Sequence, residues 1–204
     1  VFLFFFKNVE NVQEDSLKEG NIRNLKSIVL QPRFLQAITA AAFAYAVMSF
    51  LMTATPLSMH VMENMSLKET GLVLQFHVVA MFLPSLITGN LIKKYGHSAI
   101  IYGGVLFFFI TVLLSLFEQT YLNYMLSLIF LGLGWNFLFI SGTSLVVLTY
   151  NKEEKFKVQG INDLIVFSTM ALASLSAGIL LNSIGWKMMN LISVSYTHLT
   201  LPTT

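Results

Sequence analysis

The chain has 204 residues, of which 55% are apolar and only 11% charged, and its mean hydropathy is +0.72. About a quarter of the residues of a soluble domain are charged, so this much apolar surface calls for a bilayer as its solvent. The formal net charge is +2, no basic patch is interleaved with aromatics, and cysteine is absent. Nucleic acid is thereby excluded as a partner, as are disulfides, thiolate metal sites and a cysteine nucleophile.

In chain order, Val1–Phe6 is an apolar run that stops at Lys7. It lacks the charged leader and small-residue cleavage site of a signal peptide, and reads as the end of a helix that starts upstream. Lys7–Arg33 is polar and mixed in charge, with Gly20 inside and Pro32 near its end. That composition marks a hydrophilic linker with room for a short surface helix. Apolar stretches of about 20 residues then predict five membrane spans: Phe34–Leu57, Leu67–Ile92, Ser98–Phe117, Tyr121–Tyr150 and Val158–Ile184. Pro56 is expected to close the first. A sixth apolar run begins at Trp186, where Asn190, Ser193, Ser195, Thr197, His198, Thr200 and Pro202 are expected to interrupt it. The final residues, Val194–Thr204, resemble a translated transposase mosaic-end sequencing adapter and are set aside as a non-native tail. The expected fold class is all-α, a polytopic transmembrane bundle over residues 34–193.

Basic residues orient the spans. The linker carries Lys7, Lys18, Arg23, Lys26 and Arg33; the loop after the second span carries Lys93 and Lys94; the loop after the fourth carries Lys152, Lys155 and Lys157. Only Lys68 and Lys187 of the twelve basic residues fall on the other side. This alternation assigns the linker and those two loops to the cytoplasm. Ser66-Leu-Lys-Glu69 fits a capping box that opens the second span. Ala173 with Ala177, and Ser174 with Gly178, give the fifth span a small-residue face suited to close helix packing. The third span, with Phe107–Phe109 and few polar groups, reads as an outer, lipid-facing helix.

Polar groups within a bilayer are costly and mark functional candidates. Tyr45, Ser49 and Thr53 recur every fourth residue and share one helix face. They line either a cavity or polar substrate path, or the two hydroxyls bond their own helix. Trp135-Asn136, with Thr143 two turns on, suits stacking and hydrogen bonding of a ligand, or an interhelical amide clamp. Gln75 and His77 lie in the second span, and His77 is either a proton relay or a neutral histidine satisfied by a neighbouring helix. Asp163 lies six residues beyond Lys157, roughly 9 Å along the helix, as a coupling carboxylate, a gate, or a local structural pair. No phosphate-cradling glycine loop, His-Glu-x-x-His motif or nucleophile elbow is present. Neither enzymatic activity nor a cofactor is expected, and His60, Glu63 and His77 fit no metal-binding spacing.

Gly89-Asn-Leu-Ile-Lys-Lys-Tyr-Gly96-His97 resembles the loop motif Gly-x-Leu-x-Asp-Arg-x-Gly-Arg of the major facilitator superfamily, with Lys93 in place of the Asp. Gly132-Leu-Gly-Trp-Asn136, Gly142-Thr143, Tyr150, Glu154, Gln159 and Asn162-Asp163 resemble a bacterial branch of its permeases. The resemblance implies the C-terminal half of a secondary transporter, with an upstream half as its pseudo-symmetric partner and a small solute bound between the halves near the midplane. It implies that the first and fourth spans line the cavity, that the second and fifth meet the other half, and that transport is alternating access coupled to protons. Lys93, Lys94, Glu154 and Asp163 are then candidates for gating or coupling. The competing expectation is a non-transporting membrane sensor or scaffold; a membrane-embedded enzyme is a third, weakened by the lack of clustered catalytic groups.

Overall fold

The computed structural model describes residues 23–195, so Val1–Phe6, the linker up to residue 22 and the tail from residue 196 lie outside the described residues. The helices are α1 (Leu25–Val29), α2 (Pro32–Pro56), α3 (Leu67–Phe82), α4 (Ser85–Tyr95), α5 (His97–Ser115), α6 (Tyr121–Val147) and α7 (Lys155–Ser195). Among the described residues, five helical stretches are long and apolar enough to cross a membrane: Pro32–Met62, Leu67–Tyr95, His97–Ser115, Tyr121–Val147 and Lys152–Ser193. They correspond to the five expected spans.

The structure refines the sequence reading in three places. The first α-helix ends at Pro56, as expected, but the helical stretch goes on in a wider π-helical turn, Leu57–Met62. A proline removes one helical N–H and crowds the preceding turn; a wider turn accommodates it and carries Ser58 to the Tyr124 hydroxyl, 2.6 Å away. The second span is not continuous but breaks between Phe82 and Ser85, around Pro84. The expected division after the fifth span holds: the backbone at Gly185 (φ 74°, ψ 169°) is non-helical, suits a residue without a Cβ, and separates that span from the run beginning at Trp186, which stays helical through Ser195. Asn190 and Ser193 do not interrupt it: Asn190 Nδ2 donates to the Trp186 carbonyl (3.0 Å) and Ser193 Oγ to the Asn190 carbonyl (2.7 Å). Polar side chains that bond their own helix are accommodated in an apolar setting.

Helix α6 is the hub. Its glycines face three different helices at distances that leave no room for a side chain. A methyl at Gly132 would fall 2.8 Å from the His77 carbonyl oxygen, one at Gly134 2.5 Å from the Phe108 ring, and one at Gly142 2.8 Å from the Ala37 carbonyl oxygen. Lipid supplies no hydrophobic drive between helices, so such close backbone approach is where packing energy comes from. Helix α7 packs on α2 through the small-residue face, with Ala177 fully buried and Thr53 hydrogen-bonded to Ser174 at 2.9 Å. Gly178, by contrast, faces open space. Helix α5 keeps Tyr102, Leu106, Phe109 and Leu113 exposed, in line with an outer helix.

Contacts along the helices show that directions alternate. On α2 and α6, Ala37 meets Gly142, Tyr45 meets Trp135 and Ser58 meets Tyr124, so these helices are antiparallel. On α3 and α6, His77 meets Leu128 and Met81 meets Asn136, so these run parallel. The N-terminal end of α2, the α4–α5 junction and the start of α7 thus share one end of the bundle. There Gln36 Nε2 reaches Ser98 Oγ (3.3 Å), and Arg23 grips Glu154. The stretch before α2 is more than a solvated linker, since Ile28 is buried against Leu145, Val146 and Val158.

Candidate substrate site at the aromatic cluster

An aromatic cluster is built from four helices. The Tyr45 ring (α2) meets Trp135 edge-on at 5.2 Å between centroids, Phe139 at 4.8 Å and Phe167 (α7) at 5.9 Å. Trp135 and Phe139, one turn apart on α6, stack at 4.9 Å and 15°, and Phe82 at the end of α3 meets Trp135 at 5.9 Å. Edge-to-face and offset pairs at these separations are favourable beyond their buried area. Trp135 is the buried centre, whereas Phe82 and Phe167 are 59% and 50% exposed. The cluster therefore has a closed floor and two open aromatic edges. The Trp135 indole Nε1 is buried with no hydrogen-bond partner among the described residues.

Tyr45 and Trp135, expected from sequence to share a site, are thus in contact. The other candidates fall into different places. Ser49 is buried, Thr53 bonds Ser174 on α7, and Thr143 Oγ1 donates to its own helix at the Phe139 carbonyl (2.7 Å). Gln75 is exposed on α3. His77 is fully buried, and its Nδ1 donates to the Leu128 carbonyl at 2.7 Å, which ties α3 to α6. Asn136 has no exposed surface: Nδ2 donates to the Met81 carbonyl (2.7 Å) and Oδ1 accepts from Thr88 Oγ1 (2.6 Å). Both sides of its amide are used within the bundle, in the manner of an interhelical clamp.

The chemistry of charge lies nearer the basic end. Asp163 is exposed on α7, one turn before Phe167, and accepts from Asn162 Nδ2 (3.1 Å). Glu154 is 2% exposed and accepts from Arg23 through Nη2 to Oε2 at 2.7 Å and Nε to Oε1 at 3.0 Å. The backbone N–H groups of Arg23 and Asn151 add a bond each, both 2.9 Å. This carboxylate keeps the Arg23 guanidinium above its ordinary pKa, so the pair is a permanently charged tie between the segment before α1 and the start of α7. Lys93 and Lys94 lie in the last turn of α4, with Lys94 Nζ 4.9 Å from the Tyr95 ring centre. Gly96, at the α4–α5 junction of the glycine-bearing loop motif, has φ 84°, a conformation that favours glycine.

An inward aromatic floor with open edges, in a bundle of alternating apolar helices, has a clear family context. Residues 37–199 match the Major Facilitator Superfamily. The chain belongs to that superfamily. It is 40% identical over 168 residues to the riboflavin transporter RfnT of Brucella anthropi, covering 82% of the chain and 42% of that protein. It is 27% identical over 202 residues to the uncharacterized MFS-type transporter YdeG of Bacillus subtilis, covering 98% of the chain and 47% of the relative. A second Bacillus subtilis protein, the uncharacterized MFS-type transporter YddS, is 33% identical over 126 residues, 60% of the chain and 28% of its own length. The chain thus spans less than half the length of these relatives. The superfamily protein is a multi-pass membrane protein, and its family context is transport.

Sequence reasoning missed Phe82, Phe139 and Phe167. Phe139 was accessible, since it follows Trp135 by four residues and so shares its face. Phe82 and Phe167 join only through tertiary packing of α3 and α7 against the centre.

Proposed function

We propose that this chain is the C-terminal half of a secondary transporter of the inner membrane that moves a flat heteroaromatic solute of the riboflavin type by alternating access. The aromatic cluster of Tyr45, Phe82, Trp135, Phe139 and Phe167 carries the reading. A planar ring system would lie against the exposed rings of Phe82 and Phe167, which pack on Trp135 and Tyr45. The name of the relative RfnT supports the same solute class.

The upstream half is the partner, and the most exposed apolar faces are the natural surfaces for it. Helices α3 and α4 expose Phe76, Val79, Leu83, Leu86 and Ile87, and α7 exposes Leu164, Leu172, Leu175 and Ile179. Asp163 is the coupling group in this reading, because an exposed carboxylate one turn from Phe167 can exchange a proton while the solute occupies the cluster. Gln75 belongs with the exposed face of α3. His77 and Asn136 are assigned to helix clamping rather than to ligand binding, and Glu154 to anchoring. Lys93 and Lys94 keep the cytoplasmic end of α4 at the headgroup level.

The test is riboflavin uptake by the full-length protein in a bacterial strain that requires riboflavin and lacks its own importer. Phe167→Ala, at a half-exposed ring, should lower riboflavin affinity by about two- to tenfold, from the loss of an aromatic contact of about 0.5–1.5 kcal/mol. Asp163→Asn should retain binding but lose the pH dependence of uptake and its sensitivity to a protonophore. Absence of riboflavin binding by the normally inserted wild type would refute the solute class. An unaltered pH profile in Asp163→Asn would remove Asp163 from coupling.

A further inference from the structure

The second span is broken where a continuous helix is expected, and a single side chain holds both sides of the break. Pro84 has no N–H to offer the Ala80 carbonyl, and the last regular bond before the turn is Leu83 N–H to the Val79 carbonyl (2.8 Å). Ser85 Oγ caps the Phe82 carbonyl, and α4 restarts at Ser85. Asn136 of α6 spans this gap. Its Nδ2 takes the Met81 carbonyl on the near side, at 2.7 Å, and its Oδ1 accepts from Thr88 Oγ1 on the far side, at 2.6 Å; the same hydroxyl lies 2.8 Å from the Pro84 carbonyl, so its one proton is shared between the clamp and the hinge. The orientation of the amide is forced, because a carbonyl only accepts and so must face the NH2 group. Asn136 and Thr88 have no exposed surface, and an orphaned amide or hydroxyl in so apolar a setting is costly.

The neighbours of these atoms belong to the aromatic cluster. Asn136 follows Trp135 and Met81 precedes Phe82, and the two rings are 5.9 Å apart. Two adjacent residues on α6 therefore meet two adjacent residues on α3, one pair through rings and the other through an amide and a carbonyl. The far side of the clamp, Thr88, lies on the short helix that ends in Lys93–Lys94 and leads into Gly96.

We propose that Asn136 is a positioning residue that clamps a proline hinge in the second span and couples occupancy of the aromatic cluster to the angle of α4. A solute pressing on Phe82 displaces the Met81 carbonyl, and Asn136 transmits that displacement to Thr88 and the basic end of α4. The hinge itself stands on geometry alone; the coupling to occupancy rests on the substrate reading given above.

Thr88→Val keeps the shape of the side chain and removes the hydroxyl donor, so it tests the far side of the clamp without deleting the buried amide. In the full-length protein, backbone hydrogen exchange of Ser85–Tyr95 should rise. The maximal rate of riboflavin uptake should fall by about tenfold, the loss of roughly one buried hydrogen bond, with riboflavin affinity within about threefold of wild type. Thr88→Ser should restore both. Unchanged exchange in Thr88→Val overturns the hinge clamp. Raised exchange with an unchanged maximal rate overturns the coupling, since a merely structural bond would loosen α4 without slowing transport. If the wild type fails to bind riboflavin, the substrate reading fails instead, and the exchange measurement still decides the hinge.

Discussion

The pairing of Arg23 with Glu154 shows how unequal the two partners of one ion pair can be. Glu154 is nearly fully buried while the Arg23 side chain is 40% exposed. Removing Arg23 strands a buried carboxylate with only the Asn151 N–H and whatever backbone contact survives. Removing Glu154 releases a guanidinium that water can reach. Breaking a buried pair from the side that leaves the buried charge costs most. Arg23→Ala should therefore lower the thermal unfolding midpoint in detergent more than Glu154→Ala does, and the reverse order would contradict the latch. The basic residue was legible as part of the linker's charge excess, and Glu154 as a loop residue. That they meet was not, because they are separated by 131 positions.

At the scale of elements, packing is set by where a helix lacks side chains. Gly142 of α6 lies against the α2 backbone at Ala37 and Ala41, whereas Gly71 of α3 has nothing within 4 Å. Gly142→Ala must push two backbones apart and should cost about 1–3 kcal/mol. Gly71→Ala gains helix propensity and should stabilise by about 0.5–1 kcal/mol. Unfolding of the two variants in detergent, followed by the loss of helical circular dichroism, gives the comparison; equal effects would refute α6 as a close-packed hub. The glycines of α6 were visible in the sequence as a glycine-bearing helix. Which helix each one admits depends on register between distant segments, which no local pattern carries.

For the whole molecule, the alternation of helix directions places the ends of the bundle on opposite sides of the membrane. Among the described residues, the basic side chains other than Lys68 and Lys187 belong to the end with Arg23, Lys94 and Lys155. An introduced Lys94→Cys should resist an impermeant thiol reagent applied to intact cells, and Asn64→Cys should react with it. The chain contributes no competing thiol, since it has no cysteine. Labelling at 94 and protection at 64 would invert the assignment of the basic end to the cytoplasm.

Hydropathy and charge alone located the five spans found among the described residues, nearly where they lie, and showed which loops share an end. These follow from the cost of exposing polar backbone and charge to hydrocarbon, a cost that each segment bears on its own. The sequence also marked Tyr45 and Trp135 as candidates, because a helical period places residues on faces without reference to other helices. Tertiary structure decided the rest. Pro84 lies inside the stretch expected as one continuous second span, and the position of Asn136 and Thr88 makes it a clamped break. Asn136 read as a ligand-binding residue, with a clamp as the alternative, until α3 supplied a carbonyl and α4 a hydroxyl for its two polar atoms. The aromatic cluster needed Phe82 and Phe167 to arrive from separate helices. A side chain's partners across helices are fixed by packing of the whole bundle, and that information is spread over residues far apart in the chain.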